Sequence, residues 1–424
     1  MQRFVMKDNN EVKAKEPSES NMEKQEENKY NDKLAKIMYT KKPVTILEYC
    51  FGVIKFYFRN GQMHAPNKII KGTYVFFVVL YTFVLFEYFY EPIQTNDLNS
   101  KIVLAALPGI IVFIQYIASS IKNSSNSYPK LNIEIITTFA KLDTLLQVED
   151  INNYYNISRS KVNLMVFLFI VFHSVNLLLE IMTYTYQIWP PIIWFHLFVT
   201  QKMEIVNFLH IVYMSTYRLD VINKMLRTFI LENRQKDVTV FIIRKKIKNT
   251  QTKNFIGSAS EDNEKIRDLS AIYNIIGNNC SLTNKVYNFN LLMSLVTAFV
   301  FILVAIWQTL SLYQSSSQYD MKDIMKVTLW CCNTVFNLAA LAVVCEKLLR
   351  TRNKTRILVN KIIMNYDMPT TMRDQAKAFM ELVEAWPLRF FVYDMFSIDI
   401  TLILNFISVA TTYLIVIIQI SHFI

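Results

Sequence analysis

Residues Tyr74–Tyr90 read YVFFVVLYTFVLFEYFY, a run that is apolar or aromatic at nearly every position. A hydrocarbon core of about 30 Å needs roughly 20 such residues in a helix, so this run is read as a membrane span. Six more follow outward along the chain: Ile102–Ile121, Val162–Ile181, Ile192–Tyr213, Phe289–Leu312, Val327–Cys345 and Ile400–Ile420. The fourth is interrupted by Lys202 and Glu204. Seven runs predict an all-α polytopic membrane protein with seven transmembrane helices. The composition agrees: 424 residues, 52% hydrophobic, 14% aromatic and only 6 Gly describe a membrane chain better than several soluble domains. The first run lies too deep in the sequence, and is too long, for a signal peptide, so that span itself directs insertion.

The net charge of +11 could invite a nucleic-acid reading, but the basic residues flank the spans. Arg59, Lys68 and Lys71 precede the first span, and Lys122, Lys130 and Lys141 follow the second. Arg218, Lys224, Arg227 and Arg244 through Lys248 follow the fourth, and Lys347 through Arg356 the sixth. The opposite connections hold only Lys101, Lys322 and Lys326. This asymmetry predicts a cytoplasmic N-terminus and an extracellular C-terminus, inverted relative to a G-protein-coupled receptor. Cys50 and Cys280 fall on the cytoplasmic side and Cys331, Cys332 and Cys345 within the sixth span, so no disulfide joins exterior loops. The sequons at Asn123, Asn156, Asn279 and Asn353 also fall on the cytoplasmic side and are read as chance matches.

Residues 1–42 are rich in Glu, Lys and Asn without an apolar period and are expected to be a disordered cytoplasmic tail. Residues 43–348 hold spans one to six, including a cytoplasmic loop over 218–288, and 349–397 hold cytoplasmic anchor helices. Residues 398–424 hold the last span. Val221–Leu231, Leu269–Tyr287, Ile357–Met364 and Phe379–Leu388 carry apolar residues near helical spacing, predicting that helices four to seven extend into a packed cytoplasmic domain.

No HExxH, paired CxxC, Walker A loop or GxSxG is present, so no enzyme, cofactor or metal site is expected. Polar residues do converge within the spans. His173, Asn176, Glu180 and Tyr184 share one helical face in span three, Trp330, Asn333 and Asn337 do so in span six, and Trp307 and Gln308 end span five. Such groups avoid lipid because burying them unpaired costs several kcal/mol. The topology places Glu180, Tyr184, Trp194, His196, Trp307, Gln308, Trp330 and Asn333 in the outer half of the bundle, a set suited to a small ligand with apolar faces and hydroxyls. Interhelical hydrogen bonding with an interfacial aromatic belt is the plainer reading of the same residues. Lys202 and Glu204 point to different faces, toward partners on neighbouring helices or a proton relay.

The last span contains Thr412-Tyr413-Leu414-Ile415-Val416-Ile417-Ile418-Gln419-Ile420. This resembles the TYhhhhhQF signature, h being hydrophobic, of insect gustatory receptors. Tyr217-Arg218-Leu219 through Leu226 and Leu329-Trp330 are similar to further positions of that family, and the resemblance runs from Pro43 to the end. It departs at Ile420, which stands where the signature has Phe, and at Val344-Cys345-Glu346, where Glu-Pro-Cys is frequent. The resemblance implies a homo- or heterotetrameric, tastant-gated, non-selective cation channel, distantly similar to insect odorant receptors, in the plasma membrane of chemosensory neurons. The second departure points from a sugar toward a bitter or other plant-derived compound. It further implies that the last helix lines the pore, and Thr412, Val416 and Gln419, at offsets of four and seven, share the face that would do so. The rivals are a sugar-gated channel of the same family, a metabotropic seven-helix receptor and a transporter using Lys202, Glu204 and Glu180.

Overall fold

The computed structural model describes residues 19–59, 61–94, 100–146, 151–183, 189–237, 256–314 and 321–423. It is all-helical apart from two short hairpins. The helices are α1 (Glu19–Cys50), α2 (Lys68–Gln94), α3 (Ser100–Ser124), α4 (Tyr128–Leu146), α5 (Ile151–Thr183), α6 (Trp189–Asp237), α7 (Lys265–Gln314), α8 (Met321–Ile363), α9 (Thr370–Ala385) and α10 (Ile400–Phe423). Hairpin β1 (Tyr57–Arg59) and β2 (Gln62–His64) precedes α2, and β3 (Phe391–Val392) and β4 (Phe396–Ser397) joins α9 to α10.

Among the described residues, Lys68–Tyr90, Ile151–Met182, Lys265–Thr309 and Val327–Ile363 are long and apolar enough to cross a membrane. They coincide with the first, third, fifth and sixth expected spans. Helix α10 contributes a shorter apolar stretch, Ile400–Val416, and α3 and α6 do not reach the same measure. In α6 the cause is plain: Gln201, Lys202, Glu204, Asn207 and His210 interrupt the apolar run and are all buried against neighbours.

Helices α6, α7 and α8 are 49, 50 and 43 residues long. At 1.5 Å per residue each exceeds the thickness of a hydrocarbon core about twofold. Their extensions pack with α4 and α9 into a lower body, opposite the end of the bundle at which α2, α5 and α7 finish and α3, α6 and α8 begin. The period is legible residue by residue. Leu219, Ile222, Leu226 and Phe229 on α6, Ile135, Phe139, Leu142 and Leu146 on α4, and Met372, Ala376, Phe379 and Val383 on α9 recur at spacings of three and four and share one core. Pro387, just beyond Trp386, ends α9.

The stretch expected as a tail behaves differently over its described part. Leu34, Ile37, Lys41, Val44 and Glu48 form a buried stripe on α1, which packs against α4 and α5. The stripe escapes an apolar scan because Lys41 and Glu48 stand within it and pair with each other at 3.2 Å. Beyond α1 the chain turns inward: Val53, Ile54, Lys55 and Phe56 are buried, and Lys55 meets Glu204 at 2.6 Å.

Two buried arrangements fix the lower body. Arg218 lies 2.5 Å from Asp143, whose same oxygen also accepts the Tyr155 hydroxyl, while the Arg218 guanidinium covers the Phe139 ring at 4.5 Å. Burial pushes the Arg218 pKa down, but the Asp143 carboxylate outweighs it and holds the guanidinium above its ordinary value. Asp399 caps α10, accepting from the Thr401 amide at 3.0 Å and from the Ser397 hydroxyl at 2.7 Å. Partial burial raises its carboxyl pKa, and these hydrogen bonds bring it net below the usual range.

Candidate functional site

Helices α6 and α8 run side by side in the same direction, as two contacts far apart along them establish. Phe198 meets Trp330 with ring centroids 5.2 Å apart, and lower down the Asn223 amide donates to the Thr351 carbonyl at 2.9 Å. Helix α5 runs against them, with His173 and Phe195 at 6.2 Å. The expected site residues therefore sit around the upper parts of α5, α6, α7 and α8, but not as one cluster.

Trp330 is 8% exposed and forms the centre of an aromatic row: Phe301 of α7 lies 5.6 Å away, Phe198 of α6 on another side, and Trp194 continues the row at 6.4 Å from Phe198. Trp194 has this place because α3 offers Gly109; a Cβ there would stand 2.2 Å from the indole. Phe198 and Phe301 were not among the expected site residues. The one signal in the sequence was that Phe198 stands a single turn from Trp194, on the same helical face.

His196 turns the other way. Its ring stacks on Phe77 of α2 at 4.5 Å, and its Nδ1 is hydrogen-bonded to the Tyr81 hydroxyl. On α8, Asn333 is 5% exposed; its Oδ1 accepts from Asn337 at 2.7 Å, while its Nδ2 has no partner among the described residues. Glu180, Trp307 and Gln308 are half-buried. Tyr184 lies outside the described residues. On α5, at the lower end of the expected stripe, His173 and Asn176 are buried, and His173 Nδ1 and Asn176 Oδ1 have no hydrogen-bond partner among the described residues.

Lys202 and Glu204 separate sharply. Glu204 accepts from Lys55 at 2.6 Å and from Asn290 at 3.0 Å, and Lys55 also reaches the Tyr287 hydroxyl at 3.1 Å. Lys202 stands one turn from Phe198, which meets α8, and two turns from Phe195, which meets α5. Beside Glu204, between α2, α3 and α6, lies a cavity of about 20 Å³ lined by Tyr74, Gln115, Tyr116, Asn123 and Gln201. It suits roughly one water and is far smaller than a pocket for a drug-sized ligand. Gln201 crosses its edge, donating to Gln115 at 2.8 Å and to Thr297 at 2.9 Å.

On α10, Thr412, Val416 and Gln419 are exposed along one face. The helix is held through α7 and α8, with Phe299 of α7 meeting Phe406 at 6.3 Å and Tyr413 at 5.4 Å. The expected pore face thus looks away from the body of its own chain.

Residues 42–422 match the family model described as 7tm Chemosensory receptor. The chain belongs to this chemosensory receptor family. Its fold is also that of the insect olfactory receptor OR5 from Machilis hrabei, to which the receptor is similar with a TM-score of 0.65 at 10% identity, over 89% of this chain and 97% of the other. No curated protein matches the receptor in sequence. At so low an identity the likeness carries the receptor fold, while individual side chains have to be argued from their own surroundings. Among the described residues no cluster of His, Cys, Asp and Glu is arranged to hold a metal ion. Two of the four sequons, Asn123 and Asn279, are buried, at 2% and 3% exposure.

Proposed function

We propose that the chain is one subunit of a tetrameric, tastant-gated, non-selective cation channel of the gustatory type, in the plasma membrane of chemosensory neurons. Seven helices, α2, α3, α5, α6, α7, α8 and α10, span the bilayer in this reading, with the N-terminus and the lower body in the cytoplasm. The Lys/Arg asymmetry supports that orientation. The observation that carries the channel reading is α10: an apolar helix, packed on its own chain chiefly through α7 and α8, that exposes Thr412, Val416 and Gln419 on a single face. Four copies around an axis would turn that face inward, with Val416 as an apolar ring that closes by dewetting and Gln419 as a polar ring one turn farther out.

The tastant, a bitter or other plant-derived compound, occupies the upper bundle against Trp330. Agonist binding there reaches the pore through α8, which carries Trp330 and packs against α10.

Purified protein reconstituted in a planar bilayer tests this directly. Single-channel openings on agonist addition are expected, and a silent bilayer under an agonist that binds would indicate a metabotropic receptor. A tag after Ile424 should be labelled on intact cells and one before Met1 only after permeabilisation; the reverse pattern would refute the orientation. In surface-expressed Trp330→Ala, agonist sensitivity should fall, because Ala lacks the aromatic face; an unchanged dose-response curve would make Trp330 a packing residue.

A further inference from the structure

Among the described residues, four Lys and Arg side chains are buried: Lys41, Lys55, Lys202 and Arg218. Three meet a carboxylate, Lys41 with Glu48 at 3.2 Å, Lys55 with Glu204 at 2.6 Å and Arg218 with Asp143 at 2.5 Å. Lys202, 5% exposed, meets none among the described residues. Glu204, two positions on, faces the other side of α6 and is engaged by Lys55 and Asn290. Glu180 stands two turns above His173 on α5. An ammonium buried without a counter-ion is costly, so a chain that pairs three of its buried cations and not the fourth leaves an anion to be supplied from outside.

The surroundings of Lys202 fit such an anion. Phe198, one turn above it, packs on Trp330, and α6 and α8 run parallel, so Lys202 falls level with the turn of α8 that carries Asn333 and Thr334. From the other side His173 of α5 lies close enough for the lysine charge to act on it. Among the described residues, the upper parts of α5 and α8 carry three buried side-chain atoms without a hydrogen-bond partner: Asn333 Nδ2, His173 Nδ1 and Asn176 Oδ1. Unpaired buried polar groups are costly, and three on the helices that flank an unpaired cation offer partners to the polar atoms of a ligand.

We propose that Lys202 anchors the anionic head of the tastant, and that the receptor's ligands are small organic acids, a carboxylate carrying an apolar body. The proposal rests on the tastant-gated reading above and names its ligand class. The carboxylate accepts from Lys202 Nζ and Asn333 Nδ2, while Asn176 Oδ1 accepts a hydroxyl of the ligand or a further Lys202 N–H. The apolar body lies above, against Phe195, Phe198 and Trp330.

The test uses the full chain, purified in detergent, and phenylacetate, cinnamate and octanoate, each beside its methyl ester. Binding is read as the ligand-dependent rise in unfolding temperature. At least one acid should bind the wild type about tenfold or more tightly than its ester, as a hydrogen-bonded charge requires. Lys202→Met should bring that ratio near one, and Lys202→Arg should keep most of it. Met has similar length and no charge, so the unliganded Lys202→Met chain should unfold no lower than the wild type, which keeps the comparison interpretable. Equal binding of acids by wild type and Lys202→Met, binding of esters alone, or binding of no acid overturns the proposal. Bilayer current separates the two readings. Acid binding without current sinks the channel and leaves the acid site standing; current under neutral tastants with no acid preference does the reverse.

Discussion

Helices α9 and α10 are neighbours in sequence, joined by one hairpin, and they solve the problem of their apolar residues in opposite ways. Helix α9 turns Met372, Ala376, Phe379 and Val383 into the lower body and leaves polar side chains outside, so its amphipathicity is satisfied within one chain. Helix α10 is apolar around its circumference and leaves Leu404, Ile407, Val409, Ile415 and Val416 exposed. The first helix is finished by folding; in the proposed channel the second is finished by lipid and by other copies of the chain. Stability and function should therefore divide along this line, with substitutions in the body unfolding the protein and substitutions on α10 changing current without unfolding it.

The largest effect is expected in the body. Arg218→Met leaves Asp143 buried without its cation, at a cost of about 3–5 kcal/mol. The variant should be retained inside the cell or unfold at a much lower temperature by fluorescence-detected size exclusion. Arg218→Met with Asp143→Leu should recover much of that loss, because removing both charges removes the uncompensated one. If the single variant unfolds at the wild-type temperature, the pair does not hold the body together.

Next in size is a change between the regions. Gly109→Val places a side chain where the Trp194 ring now lies, and overpacking of this kind costs about 1–3 kcal/mol. Because Trp194 leads through Phe198 to Trp330, agonist sensitivity should fall together with stability. A stable Gly109→Val receptor with an unaltered dose-response curve would detach Trp194 from the ligand site.

How far these features were legible in the sequence depends on how each residue satisfies its neighbours. Apolar runs disclosed the long helices because a span has no alternative in lipid. Helix α1 stayed hidden because Lys41 and Glu48, two members of its buried stripe, neutralise each other and leave no apolar period. Trp194 and Trp330 stood out as rare aromatics, whereas Phe198 and Phe301, which link and extend their row, were lost among the many phenylalanines of apolar runs. His196 shared their height in the bundle but not their side of α6, a distinction of 100° per residue that needs the neighbours' positions to be used. Lys202 and Glu204 gave one signal in sequence and proved unlike in structure, since only contacts to α7 and the Phe51–Phe56 segment reveal that Glu204 is paired.

A smaller effect belongs to the junction itself. Asp399→Ala removes the cap of α10, worth about 1 kcal/mol. The carboxyl titrates below its ordinary value in the folded chain, so its contribution is present above the unfolded-state pKa and is lost as pH falls through the lower, folded one. Acid should thus abolish the stability difference between wild type and Asp399→Ala. A difference that persists in acid would mean that the cap works through something other than its charge. Asp399→Asn, which keeps a capping oxygen, should lie between the two in neutral solution.

The smallest effect on stability, and the one that most sharpens the comparison, is expected at Gln419. Its side chain is exposed in the single chain, so Gln419→Arg breaks no packing there, and the unfolding temperature should stay within the scatter of the wild type. In a fourfold assembly the same change sets four guanidinium groups around the cation path, and inward current should be suppressed. Val416→Ser, one turn nearer the body, should act oppositely: a hydroxyl ring wets an apolar constriction, so agonist-free current should rise. The two variants must be compared at equal surface expression, measured by labelling intact cells, because in the proposed tetramer α10 also contributes to assembly. Loss of current in Gln419→Arg with a normal unfolding temperature places function on a helix that folding alone leaves uncovered. Normal conductance and cation selectivity in that variant would show that the Thr412, Val416 and Gln419 face meets lipid, and that the pore must be sought on another exposed surface of the receptor.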